Sequence, residues 1–420
     1  MPFLSLAWKS LLNRRTTALL TLVSIAFSVL LLVGVERLRT EARESFANTL
    51  SGTDLILGAR SGAVQLLLYS VFHIGDATNN ISWKSYQEIA ALPLVDWIVP
   101  ISLGDSHRGF RVVGTTPDYF MYFHYGHEQG IEFAQGAPFD DLYDAVLGAE
   151  VAESLGYRLG DSIVIAHGAA DVHFARHADK PFRVVGILRR TGTPLDRAVH
   201  VSLQAIEAIH VDWRGGGPPL PGHAVSAQRA RVMDLTPRAI TAALIGLRSR
   251  IATFKVQRQI NDYREEPLTA ILPGVALSQL WDLVGIAENA LLLVSVCVVV
   301  VGLIGMLTAL LSSLNERRRE MAILRSVGAR PAHVFALIIG EAFGLTLAGV
   351  LAGVALLYAI LLSIRQPVEH HFGIHLAQAG LSSHELLLLA LVLLAGLLVG
   401  ILPGYRAYRL SLADGLSIRV

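Results

Sequence analysis

Three groups of side chains in this 420-residue chain have the types and spacing of metal ligands. His124 and His127 stand three apart with Glu128 beside them. Asp171, His173 and His177 recur at short intervals, and His370, His371 and His375 form a third group. Neutral imidazoles combined with a carboxylate suit zinc or a similar cation. The plainer alternative for each group is histidine scattered on a polar surface. Other chemistry lacks its residues. There is no Gly-x-Ser-x-Gly elbow and no His-Glu-x-x-His pair. The single cysteine, Cys297, lies in an apolar stretch and reads as a packing or lipid-facing residue, so no intrachain disulfide can form. None of the four lysines (Lys9, Lys84, Lys180, Lys255) follows a glycine, so a Gly-x-x-x-x-Gly-Lys-[Ser/Thr] phosphate loop is absent. The expectation is a chain with no catalytic residues and no ATPase site of its own.

The elements that must carry these residues are set by four apolar segments. Each approaches the ~20 residues that cross ~30 Å of hydrocarbon. Segments 16–36, 285–314, 335–364 and 385–405 are the expected spans. Residues 1–15 alternate apolar and polar at helical spacing, which fits an amphipathic helix on the cytoplasmic face or a simple extension of the first span. Residues 37–284 form an extracytoplasmic domain with stalks, 315–334 a cytoplasmic loop, 365–384 a short outer loop and 406–420 a cytoplasmic tail. The fold class is therefore membrane α-helical, four transmembrane helices, with an α+β extracytoplasmic domain inserted between helices 1 and 2. The first segment is longer than a signal-peptide core and lacks an Ala-x-Ala site, so it reads as a retained helix.

Composition agrees: 53% of residues are hydrophobic and 16% charged, below the quarter usual for soluble domains. A net charge of +1 points to no nucleic-acid partner. Basic residues set the orientation. Lys9, Arg14 and Arg15, then Arg317, Arg318, Arg319, Arg325 and Arg330, then Arg406, Arg409 and Arg419 flank the same side, while residues 366–384 hold no Lys or Arg. The positive-inside rule puts both termini and the Arg-rich loop in the cytoplasm.

Inside the spans, Gly340 and Gly344, Gly349 and Gly353, and Gly396 and Gly400 repeat at four-residue spacing, which lets helix backbones approach. Glu341 is the one acid more than a turn inside a span, and the spans lack the acid and histidine chain of a proton-coupled transporter. In the insertion, Val- and Ile-rich runs predict strands over 109–114, 162–167, 182–188 and 198–203. Helical patterns cover 83–92, 149–155, 203–209 and 237–250, with two sub-lobes expected. Residues 36–46 and 250–283 read as outgoing and returning helical stalks. In the loop, Glu316 and Glu320 stand one turn apart, and Met321, Leu324 and Val327 form an apolar stripe before Gly328 and Pro331 close one helix and open the next.

The loop sequence Asn-Glu-Arg-Arg-Arg-Glu-Met-Ala-Ile-Leu-Arg-Ser-Val-Gly-Ala-Arg-Pro-Ala-His-Val-Phe over 315–335 resembles the cytoplasmic loop of MacB/FtsX-type ABC transporter permeases, the group that includes LolC and LolE. The tail over 403–416 is similar to the family's ending, with Leu412 where proline is usual. The stretch over 146–165 looks like the family's extracytoplasmic core domain. The resemblance implies a permease that couples hydrolysis of ATP-Mg on a separate ABC ATPase subunit to movement of a periplasmic domain, exporting or extracting a substrate. Residues Glu316, Arg317, Glu320, Met321, Leu324, Arg325, Gly328 and Ala329 would carry the ATPase coupling. It implies a homodimer in the bacterial inner membrane, in contact with lipid, and a periplasmic protein or lipoprotein as a further partner. The alternatives are an FtsX-like regulator that activates a periplasmic partner, a zinc-linked transport component, and a membrane-anchored sensor without an ATPase. Residues 54–60 and 65–73 resemble a subgroup of these permeases associated with metal starvation, which implies a link to zinc.

Overall fold

Apolar runs buried on both faces build the centre of the large insertion. The computed structural model describes residues 15–167, 177–213, 224–316, 318–372 and 380–409. The expected helix over 1–15, apart from Arg15, lies outside them, as does most of the tail. The strands are β1 Leu55–Ala59, β2 Ile81–Ser82, β3 Val95–His107, β4 Phe110–Thr115, β5 His124–Tyr125, β6 Gln129–Gly130, β7 Phe133–Gly136 and β8 Asp144–Leu147. They continue as β9 Ser162–Ile163, β10 Ala166–His167, β11 Phe182–Leu188, β12 Ala198–Ser202, β13 Ala239–Ile240, β14 Ala242–Leu247 and β15 Leu268–Ile271. The helices are α1 Arg15–Ala47, α2 Ala63–Val71, α3 Trp83–Ala90, α4 Asp118–Tyr122, α5 Ala149–Leu155 and α6 Leu203–His210. After them come α7 Ala227–Ala230, α8 Thr253–Asn261, α9 Pro273–Glu316, α10 Arg318–Ser326, α11 Pro331–Phe372 and α12 Ser383–Arg409.

The chain divides into two compact units. In the unit of residues 42–284 the main sheet runs β15-β1-β14-β3-β4-β12-β8-β11-β7, with β10 on β3 and β9 on β11. Strand β3 belongs to both halves: Val95 to Ile101 pair with β14, and Ser102 to His107 pair with β4. Alternation then sorts side chains between cores. Ile56, Val99, Val113 and Val146 face one continuous core with Tyr69, Tyr119 and Phe120. On the opposite face, Leu55, Leu57, Ile245, Val256 and Ile260 fill one core, and Val112, Leu147, Val199, Val201 and Ile209 fill another. Successive strand residues point to opposite faces. Strand β3 thus joins the two halves into one continuous sheet within one compact unit.

Two expectations are corrected here. The helix read over 237–250 is strands β13 and β14. Residues Ala242 to Ile245 are all buried, in a run covered on both faces, and periodicity alone does not separate such a strand from a buried helix. The helical return over 250–283 is interrupted: β15 adds an edge strand to β1 before α9 begins at Pro273.

Among the described residues, the other unit holds four helices long and apolar enough to cross a membrane. Helices α1 and α9 have 33 and 44 residues, or about 50 and 66 Å at 1.5 Å per residue, well beyond a bilayer core. Their shared core is Ile25, Val29 and Val33 of α1, Leu303, Met306 and Leu310 of α9, Ala342, Leu345 and Val350 of α11, and Leu389 and Val392 of α12. Four of the six expected packing glycines sit at close crossings. A Cβ on Gly349 or Gly353 would lie 2.6 Å from Ile25 Cγ2 or Ala26 O of α1, and one on Gly400 would lie 2.7 Å from Ala342. Gly396 meets Thr346 as closely, whereas Gly340 and Gly344 face open space among the described residues.

Candidate coupling helix and candidate metal centre

Helix α10 is short and its two faces differ. Glu320 in its first turn and Arg325 in its last complement the helix dipole. Met321 and Ala322 are buried, and Met321 packs with Leu314 of α9, Val334 and Ile338 of α11 and Ala407 of α12. Ile323 on the outer face, and Val327 immediately after the last helical residue, are 52% and 83% exposed. The predicted stripe of Met321, Leu324 and Val327 therefore does not hold as one face. At 100° per residue a position six further on has turned about 120° away. The exposed apolar pair is Ile323 and Val327 at i, i+4 instead.

The end of α10 is fixed by Gly328, which has φ +103°. Its N–H donates to Arg325 O at 3.1 Å and that of Ala329 donates to Leu324 O at 3.0 Å, the paired bonds of a Schellman ending. The Arg330 N–H donates to His333 Nδ1 at 3.1 Å, which caps the start of α11. Of the expected coupling residues, Glu316 closes α9, Glu320, Met321, Leu324 and Arg325 lie on α10, Gly328 and Ala329 follow it, and Arg317 lies outside the described residues.

Toward the other end of the same helices stands a charged cluster that the sequence reading did not single out. Arg37 donates to Glu41 at 3.0 Å and to Tyr358 Oη of α11 at 3.2 Å. Arg39 donates to Glu36 at 3.3 Å and to Glu288 of α9 at 3.1 Å. These bonds tie α1 to α9 and α11 where the apolar stretches end.

In the unit of residues 42–284 the described metal-ligand types meet at one place: Asp105, His167, His177 and His210, their ligand atoms all within 4.8 Å of one another. Asp105 lies where the β3–β4 register slips between Leu103 and Ser106, and such irregularities re-aim side chains. His167 on β10 pairs with Asp105 in register. His210 ends α6, whose Ser202 N-cap accepts from Ala205 N. His177 is anchored by its backbone, with N–H to Ile165 O at 3.0 Å and C=O accepting from Lys180 N at 3.1 Å. Asp105 Oδ1 lies 3.0 Å from His167 Nδ1 and 3.5 Å from His210 Nε2, and the two ring nitrogens are 3.4 Å apart. The Trp213 ring closes one side, 4.6 Å from the His167 ring and 4.8 Å from that of His177.

Burial raises a carboxyl, but His167 and His210 outweigh it and hold Asp105 down at about 2. Burial first, then His210 and His167, push His177 down to about 4. Burial opposes the charge on His210, yet the Asp105 carboxylate raises it. Lys180 is fully buried but faces Asp212, at 2.9 and 3.2 Å, so its charge is matched away from Asp105.

Among the described sequence candidates, only His177 belongs to this group. Asp171, His173 and His375 lie outside the described residues. His124 Nδ1 bonds to Tyr122 O at 2.8 Å, His127 is exposed, and Glu128 pairs with Arg250 at 3.6 Å. The missed partners are distant in sequence. The available signal was a histidine closing the predicted strand 162–167 and another immediately after the predicted helix 203–209.

These features define a multi-pass membrane protein with an α+β domain between its first and second spanning helices. Residues 17–262 match the MacB-like periplasmic core domain, and residues 292–412 match the FtsX-like permease C-terminal family. The chain belongs to the MacB/FtsX-like family of ABC transporter permeases, and such a permease implies an ATPase partner. It is 22% identical over 417 residues to an uncharacterized ABC transporter permease of Methanocaldococcus jannaschii, covering 96% of this chain and 93% of that one. It is 24% identical over 435 residues to the macrolide export ATP-binding/permease protein MacB of Shewanella oneidensis, covering 99% of this chain and 60% of that protein. With a MacB of another Shewanella strain the coverage is 78% and 47%, so the chain spans roughly half to three-fifths of these MacB relatives. The crystal structure of the periplasmic region of MacB from Actinobacillus actinomycetemcomitans aligns with TM-score 0.33 and 10% identity, over 55% of this chain and 94% of that one.

Proposed function

We propose that this permease converts ATP hydrolysis on a docked ABC ATPase subunit into movement of its α+β domain. The observation that carries this reading is α10. Its inner face is packed into the ends of three spanning helices through Met321, while Ile323 and Val327 offer an apolar outer face to a partner. A push on such a helix reaches α9, α11 and α12 together. In this reading the Arg-rich loop and both termini are cytoplasmic, the large domain is periplasmic, the membrane is the bacterial inner membrane, and two permease copies serve two ATPases. The domain then exports or extracts a substrate, or acts on a periplasmic protein or lipoprotein.

The test is co-purification of the full chain with the ATP-binding subunit. The double variant Ile323→Asp, Val327→Asp should lose the subunit and keep the wild-type thermal midpoint in detergent, because both side chains are exposed. Undiminished capture of the ATPase would remove α10 as the docking element. Cysteine labelling at Ser326 in a Cys297→Ser background reports orientation. Reaction from the same side as the large domain would refute the scheme.

A further inference from the structure

We propose that Asp105, His167, His177 and His210 form a binding site for one divalent transition-metal ion of the zinc class, held by three nitrogens and one oxygen. Zinc bonds imidazole nitrogen and carboxylate oxygen at about 2.0–2.2 Å in a tetrahedron, so neighbouring ligand atoms lie about 3.3–3.5 Å apart. Asp105 Oδ1, His167 Nδ1 and His210 Nε2 form a triangle with edges of 3.0, 3.4 and 3.5 Å. Three of the four corners already stand near those separations. The fourth ligand, His177, is within 4.8 Å of the others and closes the site by a shift of its ring.

Orphaned polar atoms are an independent sign. Both ring nitrogens of His177 are buried without a hydrogen-bond partner, and the residue is 1% exposed. A buried polar atom left unsatisfied has lost its water without replacement, which is unfavourable. Contacts between Asp105 and the two other imidazoles do nothing for His177. An ion at the common point gives His177 a partner while keeping Asp105 matched to positive charge.

Ligand chemistry narrows the ion. Three imidazoles exclude a calcium or magnesium preference, since those ions take all-oxygen shells. Four protein ligands leave no position for a reactive water, so the site binds and braces and does not hydrolyse. The His167 and His210 side chains are 34% and 29% exposed and provide the entry side. Once bound, the ion joins the irregular stretch of β3, the end of α6 and the segment at His177. The site is independent of how the spans are driven.

The experiment uses the full chain in detergent, stripped with a chelator and titrated with zinc and with cobalt(II). Expected are one ion per chain, bound tighter than about 10 µM, a raised thermal midpoint and the intense visible bands of tetrahedral cobalt. His177→Ala and His210→Ala should each weaken binding by at least about 100-fold. His177→Cys should keep the ion and add a thiolate-to-cobalt charge-transfer band, which a merely structural histidine would not produce. No binding by the wild-type chain at that level overturns the proposal, as does undiminished binding in both alanine variants. So does loss of the ion in His124→Ala or His127→Ala instead. Should the alanine variants fail to fold, the cysteine variant decides: a cobalt complex without the sulfur band refutes the site.

Discussion

At the residue scale, burial decides what a histidine does. His200 on β12 has no exposed surface and packs against the rings of Tyr119 and Phe120, with centroids 5.4 and 5.8 Å away. Burial, and then the nearby His73, push it down to about 3. Between that value and about 6.5 the unfolded chain holds a proton on this ring and the folded chain does not. Stability from this group is therefore complete above pH 6.5 and declines as pH falls, by up to about 1.4 kcal/mol per pH unit. Thermal midpoints of the full chain between pH 7 and 4.5 should fall less steeply in His200→Leu than in the wild type. Parallel lines would mean that His200 does not titrate in this way. Such a histidine looks, in sequence, like any other in a Val-rich run. The same limit applies to the candidate metal cluster: His177 is visible in the sequence, but Asp105, His167 and His210 come together only through the register of β10 on β3 and the length of α6.

At the scale of elements, the spans were legible because hydrocarbon thickness imposes a length and excludes charge, and α10 because a glycine and a proline punctuate it. The strand Ala242–Leu247 was not legible, since burial on both faces removes the alternation that marks a strand. The glycine repeats were readable as a class, but which of them touch a helix depends on rotation about the helix axis. That difference is testable. Gly353→Leu drives a side chain into Ala26 and Val29 of α1, which it cannot enter without separating the helices. Overpacking of this kind costs typically 1–3 kcal/mol. Gly344 meets nothing within 4 Å among the described residues, so Gly344→Leu should leave the protomer intact. The expected outcome is a lowered thermal midpoint in detergent for Gly353→Leu and an unchanged one for Gly344→Leu. If cross-linking shows that Gly344→Leu alone weakens pairing of two copies, the open face is where they meet. Equal midpoints for the two variants would contradict the packing of α11 on α1.

At the scale of the whole molecule, the question is how a push at α10 could be felt by the α+β domain. Helix α9 precedes α10 in the chain, is unbroken from Pro273 to Glu316 and contributes residues to both units of the chain. A helix transmits force along its axis only while its hydrogen-bond ladder is continuous. Proline in its interior removes one bond, clashes with the carbonyl four residues back and costs about 3 kcal/mol. Ala287 is exposed on α9, so a larger side chain there meets no core. Ala287→Pro should keep the ATPase bound, because α10 and its partners Leu314, Val334 and Ala407 are untouched. ATP hydrolysis should continue, but ATP-dependent change in amide exchange across residues 42–284 should disappear. Ala287→Leu, which keeps the ladder, should retain it. If Ala287→Pro preserves the nucleotide-dependent exchange pattern, the drive does not run through α9. If the wild-type chain shows no such pattern, ATP use and domain movement are not coupled in this protein.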